Sequence, residues 1–357
     1  MKILLMKFRN IGDVLLLSPL IKNLKLTYPD ATIDVALNSG TEEMLTLNPD
    51  IHEVIIYDRT KIKSLGIFKR IWEELKFALA IRAIKYDIVV NTTKGDRGAQ
   101  LALVSGAKIK IGYKNFKNIL LREVFHRNLP KQVLRHTLET NLDVLRALNL
   151  PIKEKKVEVF WSDEDEKKVN RLLKHKEFIH IHPVSRWMFK CINDKTMATI
   201  IDFCKIDMNK EVILSAAPVR QELDRLDAIL KLCKSKPINL AGKLTLKQTS
   251  ALNSKAKFFI GVDTAIMHIS AANNTPVLAF FGPSGADHWG PWDNGMMESG
   301  YTTRRGFRSM GKHRVIQENW NCVPCGKDGC NGTKISDCLM NLDIEFIKKN
   351  IKEMANG

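Results

Sequence analysis

No apolar run in this chain reaches the roughly 18–20 residues that a membrane span requires. Neither G-x-x-x-x-G-K-[ST] nor G-x-G-x-x-G occurs in its 357 residues. That argues against a P-loop NTPase and weakens the case for a dinucleotide-linked oxidoreductase. No internal repeat or low-complexity segment interrupts it. The N-terminus carries one Lys before a short apolar run broken by Lys7 and Arg9, with no small-residue cleavage site. It reads as a first β-strand rather than a signal peptide, and the protein is therefore expected in the cytoplasm. Acidic residues are also scarce, with 39 Asp and Glu against 56 Lys and Arg.

That imbalance, +17 in formal charge, points to an anionic partner: nucleic acid, an anionic membrane face or a phosphorylated substrate. With 45% hydrophobic and 27% charged residues, the composition is that of an ordinary globular protein, long enough for two cores. The basic residues are clustered. Residues 108–135 hold eight Lys or Arg and one Glu, and residues 59–76 add six basic residues on or beside a long amphipathic helix. No RNA- or DNA-binding motif matches these stretches, so nucleic acid is the alternative rather than the first reading.

Strand-like and helix-like runs alternate through the first 150 residues, from "MKILLMKF" and "VLLLSPLIKNLKLTYP" to "IFKRIWEELKFALAIRAIKY" and "DIVVNTT". Alternation of this kind predicts βαβ units on a parallel sheet. A charge-dense stretch, 151–177, predicts a linker and an amphipathic helix beginning near Ser162. Five further strands then follow in "EFIHIHP", "EVILSAAP", "PINLAG", "AKFFIGVD" and "TPVLAFFG". The expectation is an α/β protein of two Rossmann-like domains facing each other across a cleft. The first covers 1–155 and the second 156–335, and a C-terminal helix within 336–357 packs back toward the first.

Ligands of such sheets collect at the carboxyl ends of the strands. The first strand ends in "RNIGD", where Gly12 lets backbone approach a ligand and Asp13 is either a helix cap or a proton acceptor. In the second half, "HPVSRWMFK" offers Ser185, Arg186 and Lys190 to phosphate oxygens, or forms a solvated basic loop. "SAAPVRQELDRL" places Glu222 where it could take ribose hydroxyls or simply favour a helix dipole. "FFIGVDTAIMHISAANNTPVLAFFGPS" ends a buried strand at Asp263, lets Thr264 cap the next helix, and puts His268 one turn inside it. A helix N-terminus aimed at a ligand favours anions.

This last stretch resembles the signature of glycosyltransferase family 9, the lipopolysaccharide heptosyltransferases: Gly-x-Asp-Thr-Gly-x-x-His, then Ala, Pro and a closing Phe-Gly-Pro. "KFRNIGDVLLLSPL" resembles that family's N-terminal motif. "NLAGKLTLKQTSALNSKAKFFIGVD" and "RHTLETNLDVLRALNL" are similar to further family segments, and "WNCVPCGKDGCNGTKISDCL" resembles the tail of its heptosyltransferase III branch. The resemblance implies the two-domain GT-B fold and an inverting transfer that needs neither metal nor cofactor. The implied donor is ADP-L-glycero-D-manno-heptose, and the implied acceptor a heptose of the lipopolysaccharide inner core. It also implies peripheral contact with the anionic inner membrane leaflet on its cytoplasmic face, and no nucleic acid. Carried over by motif, Asp13 is the base and Lys190 neutralises the departing phosphates. Ser185 and Arg186 line the phosphate pocket, and Glu222 holds the ribose. Asp263 binds donor-sugar hydroxyls, with Thr264, Ala265 and His268 around the pyrophosphate. Ala265 departs from the family's Gly and adds a methyl group where backbone would approach phosphate. Gly12, Lys114, Lys117, Arg122 and Arg127 fall where the acceptor is expected. Another sugar nucleotide as donor stays open.

Three features have plainer readings. "DED" at 163–165 matches a metal-binding Asp-x-Asp but sits at a helix start in a charge run. His180 and His182, two apart on a strand, suit a core pair better than a metal site. Of the seven cysteines, Cys322, Cys325, Cys330 and Cys338 form a C-x2-C-x4-C-x7-C cluster. It is either a closed structural zinc site or a packed loop of reduced thiols.

Overall fold

A computed structural model describes residues 1–114, 118–130, 135–173 and 177–356. Its chain divides into two units, Met1–Phe160 and Trp161–Gly357. The boundary falls five residues beyond the expected 155, and the segment before it is tied to the first unit by the Glu154 and Glu158 amides, which donate to Asn23 and Ser18.

In the first unit, six strands form one sheet: β1 (Lys2–Lys7), β2 (Thr32–Asn38), β3 (Glu53–Tyr57), β4 (Ile88–Asn91), β5 (Ile109–Gly112) and β6 (Arg127–Asn128). Their order is β3-β2-β1-β4-β5-β6, and every pairing is parallel. β1 reads Lys-Ile-Leu-Leu-Met-Lys and buries all but its first residue. A strand covered on both faces needs such a continuous apolar run. The order is that of a Rossmann sheet, and it reverses direction between β1 and β4.

The second unit repeats the plan. Its strands are β7 (Phe178–His182), β8 (Glu211–Leu214), β9 (Ile238–Asn239), β10 (Phe258–Val262), β11 (Val277–Phe281), β12 (Arg308–Met310) and β13 (His313–Gln317). Read from β9, the order is β9-β8-β7-β10-β11-β13, with β12 added antiparallel at the edge. β7, β10 and β11 are buried throughout. The hairpin of β12 and β13 was not among the expected strands. "RSMGKHRVIQ" carries Arg, Lys and His instead of an apolar run, and Gly311 makes its turn with φ at 53°.

One local expectation holds in detail and a second does not. Ser162 caps the helix Asp163–Leu172, accepting from Asp165 N while Asp165 returns a carboxylate to the Ser162 amide. The C-terminal helix Ile344–Asn356, expected to pack back toward the first domain, buries Ile347, Ile351 and Met354 in the core of the second unit. Arg314 of β13 fixes it there through Asn350 and Glu353, at 2.9 and 2.5 Å.

Candidate active site

Where the strand order of a Rossmann sheet reverses, the connections leave in opposite directions and open a crevice at the strands' carboxyl ends. In the first unit this point lies at the end of β1. The short helix Ile11–Leu15 begins there, with Asp13 in its first turn and only 6% exposed. Its carboxylate accepts the Asn10 amide at a long 3.4 Å and lies 3.9 Å from the Arg9 guanidinium. Asn10 is the N-cap of this helix, and Asp13, at its third position, completes a capping box with it through that long contact. Lys7, the last residue of β1, is buried beneath it and donates to Asn141 Oδ1 at 2.9 Å. Burial pushes the Lys7 ammonium down to about 8, against the nearby Asp13 charge, and Arg9 lowers it further. Gly12 sits within the same turn.

In the second unit the reversal lies between β7 and β10. Lys190, after β7, reaches Asp263, after β10, with Nζ 2.6 Å from Oδ2. Burial would raise the Asp263 carboxyl, but the Lys190 charge and hydrogen bond, the Ser284 hydroxyl and nearby His268 hold it below the usual carboxylate range. Thr264 and Ala265 open the helix Ala265–Ala272 and are partly exposed. Ala265 is its first residue, in helical backbone, so the methyl group requires no left-handed conformation there. His268 is buried one turn in.

The β7 and β8 loops meet at Glu222. Its carboxylate accepts the Ala217 amide at 3.0 Å. Burial raises its pKa, while hydrogen bonds from the Ala217 and Arg186 amides and the Arg186 charge oppose the shift. Arg186 itself lies over the Trp187 ring, 5.0 Å from its centroid. Ser185 is buried and accepts the Trp187 amide at 3.1 Å, shaping the turn that presents Arg186. Gln317 of β13 donates to the Gly282 and Ser284 carbonyls at 2.7 and 2.8 Å, fixing the loop that carries the Ser284 hydroxyl.

The basic candidates of the first unit are less uniform. Lys114 pairs with Glu123 at 2.7 Å, and Arg122 lies 3.8 Å from the same carboxylate. Both cations hold Glu123 below its usual range, the Lys114 hydrogen bond most of all. Arg127 donates to the Ala147 carbonyl at 2.7 Å and so ties β6 to the end of a helix. Lys117 lies outside the described residues.

The plainer readings hold for the acidic and histidine pairs. Asp163 and Asp165 belong to the capped helix turn. His180 bonds Asn253 and, at 2.7 Å, Ser215, which also meets His182 at 2.9 Å. Burial drives both imidazoles down, to about 4 and about 3. Among the described residues, the donor atoms gathered within 4.8 Å of one another are those of Asp34, His52 and Glu53. These lie toward the amino ends of β2 and β3, away from the carboxyl edge. The cysteine sulfurs are not gathered within that distance, but Cys330, Cys325 and Cys322 lie near enough to Cys338 to add to the burial that pushes its thiol up to about 12. Cys322 and Cys325 are exposed, Cys330 is half-buried and Cys338 is buried.

Sequence reasoning passed over Lys7, Ser284 and Gln317. Lys7 had a readable signal, a charge closing an otherwise apolar buried strand. Ser284 and Gln317 had none, since their contacts join segments far apart in sequence.

Comparison with known proteins adds to this geometry. The sequence model of Glycosyltransferase family 9 (heptosyltransferase) matches residues 74–312. Lipopolysaccharide heptosyltransferase 3 of Escherichia coli is 33% identical over 294 residues, covering 80% of this chain and 85% of that protein. The glycosyl transferase family 9 structure from Veillonella parvula has a TM-score of 0.78 at 20% identity, covering 99% of this chain and 96% of the other. The E. coli heptosyltransferase WaaC with ADP has a TM-score of 0.75 at 17% identity, covering 99% of this chain and 100% of the other. Asp13 lies before the segment that the family model matches.

Proposed function

The chain belongs to glycosyltransferase family 9, and from that premise we propose that it transfers L-glycero-D-manno-heptose from ADP-heptose to a heptose of the lipopolysaccharide inner core. The reaction inverts the anomeric carbon and uses no metal or cofactor. The first unit takes the acceptor and the second the donor nucleotide. The observation that carries this reading is the Lys190–Asp263 pair, 2.6 Å apart at the second unit's strand reversal, beside the open N-terminus of the helix Ala265–Ala272.

A departing nucleoside diphosphate gains negative charge as the bond to the sugar breaks. Lys190 and Arg186 supply cationic donors, and the first amides of the helix add oriented dipoles. These groups suit phosphate oxygens without a divalent ion between them. Glu222 accepts ribose hydroxyls, and Ser185 lines the phosphate pocket. Asp263 accepts from hydroxyls of the donor sugar, and Lys190 keeps it ionised for that role. Thr264, Ala265 and His268 surround the pyrophosphate.

At the first unit's strand reversal Asp13 accepts the proton of the acceptor hydroxyl. As that proton leaves, the oxygen bonds to the anomeric carbon, and the carbon–phosphate-oxygen bond breaks with its electron pair going to ADP. Charge balances: the carboxylate becomes neutral and ADP gains the charge. Such a transition state is oxocarbenium-like and needs one positioned base. Gly12, Lys114 and Arg122 are assigned to the acceptor, and Lys117, outside the described residues, joins them by sequence alone. Arg127 belongs to the same set, with one of its five donors on the Ala147 carbonyl.

The test is a donor panel, with ADP-heptose against other sugar nucleotides, using purified enzyme and truncated lipopolysaccharide. Transfer confined to ADP-heptose supports the reading; a preference for another nucleotide overturns it.

A further inference from the structure

The helix Ile67–Ala83 carries an apolar face that nothing in its unit covers. Ile67, Phe68, Ile71, Trp72, Leu75 and Leu79 are 68, 86, 59, 65, 46 and 51% exposed. At 3.6 residues per turn they fall within an arc of roughly 140°, the pattern of a helix face built to be buried. The helix cannot roll to hide it. Ala78 and Ile81 are already buried in the unit's core. Glu74 accepts the Tyr57 hydroxyl at 2.6 Å, and Phe77 packs edge-on to the Tyr57 ring at 5.2 Å. Arg97 closes the lock, 3.4 Å from Glu74 and over the Tyr57 ring at 4.3 Å. The inward side is therefore used up, and the apolar side is held outward.

Charge surrounds this face. Residues 59–76 contain six Lys or Arg and two Glu. Lys69 and Lys76 lie together beyond the Trp72 edge of the apolar arc, and Arg59, Lys61 and Lys63 precede it on the helix Arg59–Ser64. The packed residue Leu121 also leaves its neighbours Ile119 and Leu120 at 80 and 84% exposed on the same unit. The helix is too short and too charged to cross a bilayer, and no described helix is long and apolar enough to do so.

We propose that this face docks on an anionic lipid surface, with Phe68 and Trp72 seated among the headgroups and acyl carbons and the flanking lysines and arginines meeting lipid phosphates. An amphipathic helix of limited length with aromatic anchors and a basic rim lies in such an interface rather than across it. A protein partner would match the apolar arc but not its basic margin. The inference rests on the reading above and adds to it the element that would bring the enzyme to a membrane surface.

Co-sedimentation of the full chain with vesicles tests it. Vesicles of 30% phosphatidylglycerol in phosphatidylcholine should bind at least tenfold more protein than pure phosphatidylcholine, and the difference should shrink with salt. Phe68→Ser with Trp72→Ser should cut binding at least tenfold while leaving melting temperature and transfer to a deacylated, soluble acceptor near wild type. Because the double variant could perturb folding, Lys69→Glu with Lys76→Glu offers an independent route: it should lower binding to anionic vesicles alone. Equal binding to both vesicle types overturns the proposal. So does a wild-type dimer, dispersed by the Phe68 and Trp72 changes, that ignores vesicles. Vesicle binding without transfer would refute the heptosyl-transfer reading and leave the docking face standing; transfer without vesicle binding would do the reverse.

Discussion

Replacing Lys190 by Ala removes one charge from a nearly closed pair. The ammonium is 21% exposed and the Asp263 side chain 7%. In a fully buried pair, deleting one partner costs about 3–5 kcal/mol, because the remaining charge is stranded. A Lys one-fifth exposed lets water relieve part of that, so roughly 1–3 kcal/mol of stability is expected. With Lys190 in its proposed role, the substitution should also strip the leaving phosphates of a charge-assisted contact of about 1.5–3 kcal/mol. At about 1.4 kcal/mol per decade, donor kcat/KM and ADP affinity should fall roughly ten- to hundredfold. Calorimetric titration with ADP, kinetics against ADP-heptose and a thermal melt separate the two effects. A pH series adds a check. Against burial, Lys190 is the largest of the influences that hold the Asp263 carboxyl low, so without it that pKa should rise. The variant is then penalised while Asp263 is ionised, and the penalty fades as pH falls through the raised pKa. The wild type meanwhile loses its own stabilisation over the acidic range, so the two melting temperatures converge toward acid. A folded Lys190→Ala enzyme with unchanged ADP affinity and turnover would refute this assignment.

Stability should fall as pH drops from 6.5 toward 4, because the unfolded chain protonates His180 and His182 while burial holds the folded imidazoles to about 4 and about 3; denaturant melts at stepped pH check it, and a flat profile between pH 7 and 5 contradicts it. Lys114→Glu with Arg122→Glu should raise the acceptor KM several-fold and leave the donor KM nearly unchanged; an equal rise in both would count against an acceptor role.

Much of the fold was legible because it rests on local chemistry. The buried runs of β1, β7 and β10 can be little else than interior parallel strands, and Ser162 followed by Asp165 announces its helix. Asp13, Lys190 and Asp263 were readable as candidates because each closes or follows such a strand. Their pairing was not. Lys190 and Asp263 lie 73 positions apart, and only the sheet order makes them neighbours. Arg127 looked like one cation among eight until β6 placed it against the Ala147 carbonyl. Residues 67–83 were legible as an amphipathic helix, but not the direction of its apolar face, which Tyr57 and Glu74 decide from another segment. The β12–β13 hairpin escaped because an edge hairpin rich in charge lacks the apolar run by which the other strands are read.

Asp13→Asn decides whether Asp13 takes the acceptor proton. Asp13 stands at the third position of a helix capped by Asn10, and the Asn carbonyl oxygen can still accept the Asn10 amide. The change should therefore cost well under 1 kcal/mol of stability. It removes the base, so heptosyl transfer should fall roughly 10²–10⁴-fold while melting temperature and ADP binding stay close to wild type. Near-normal transfer by a well-folded Asp13→Asn enzyme would contradict the mechanism.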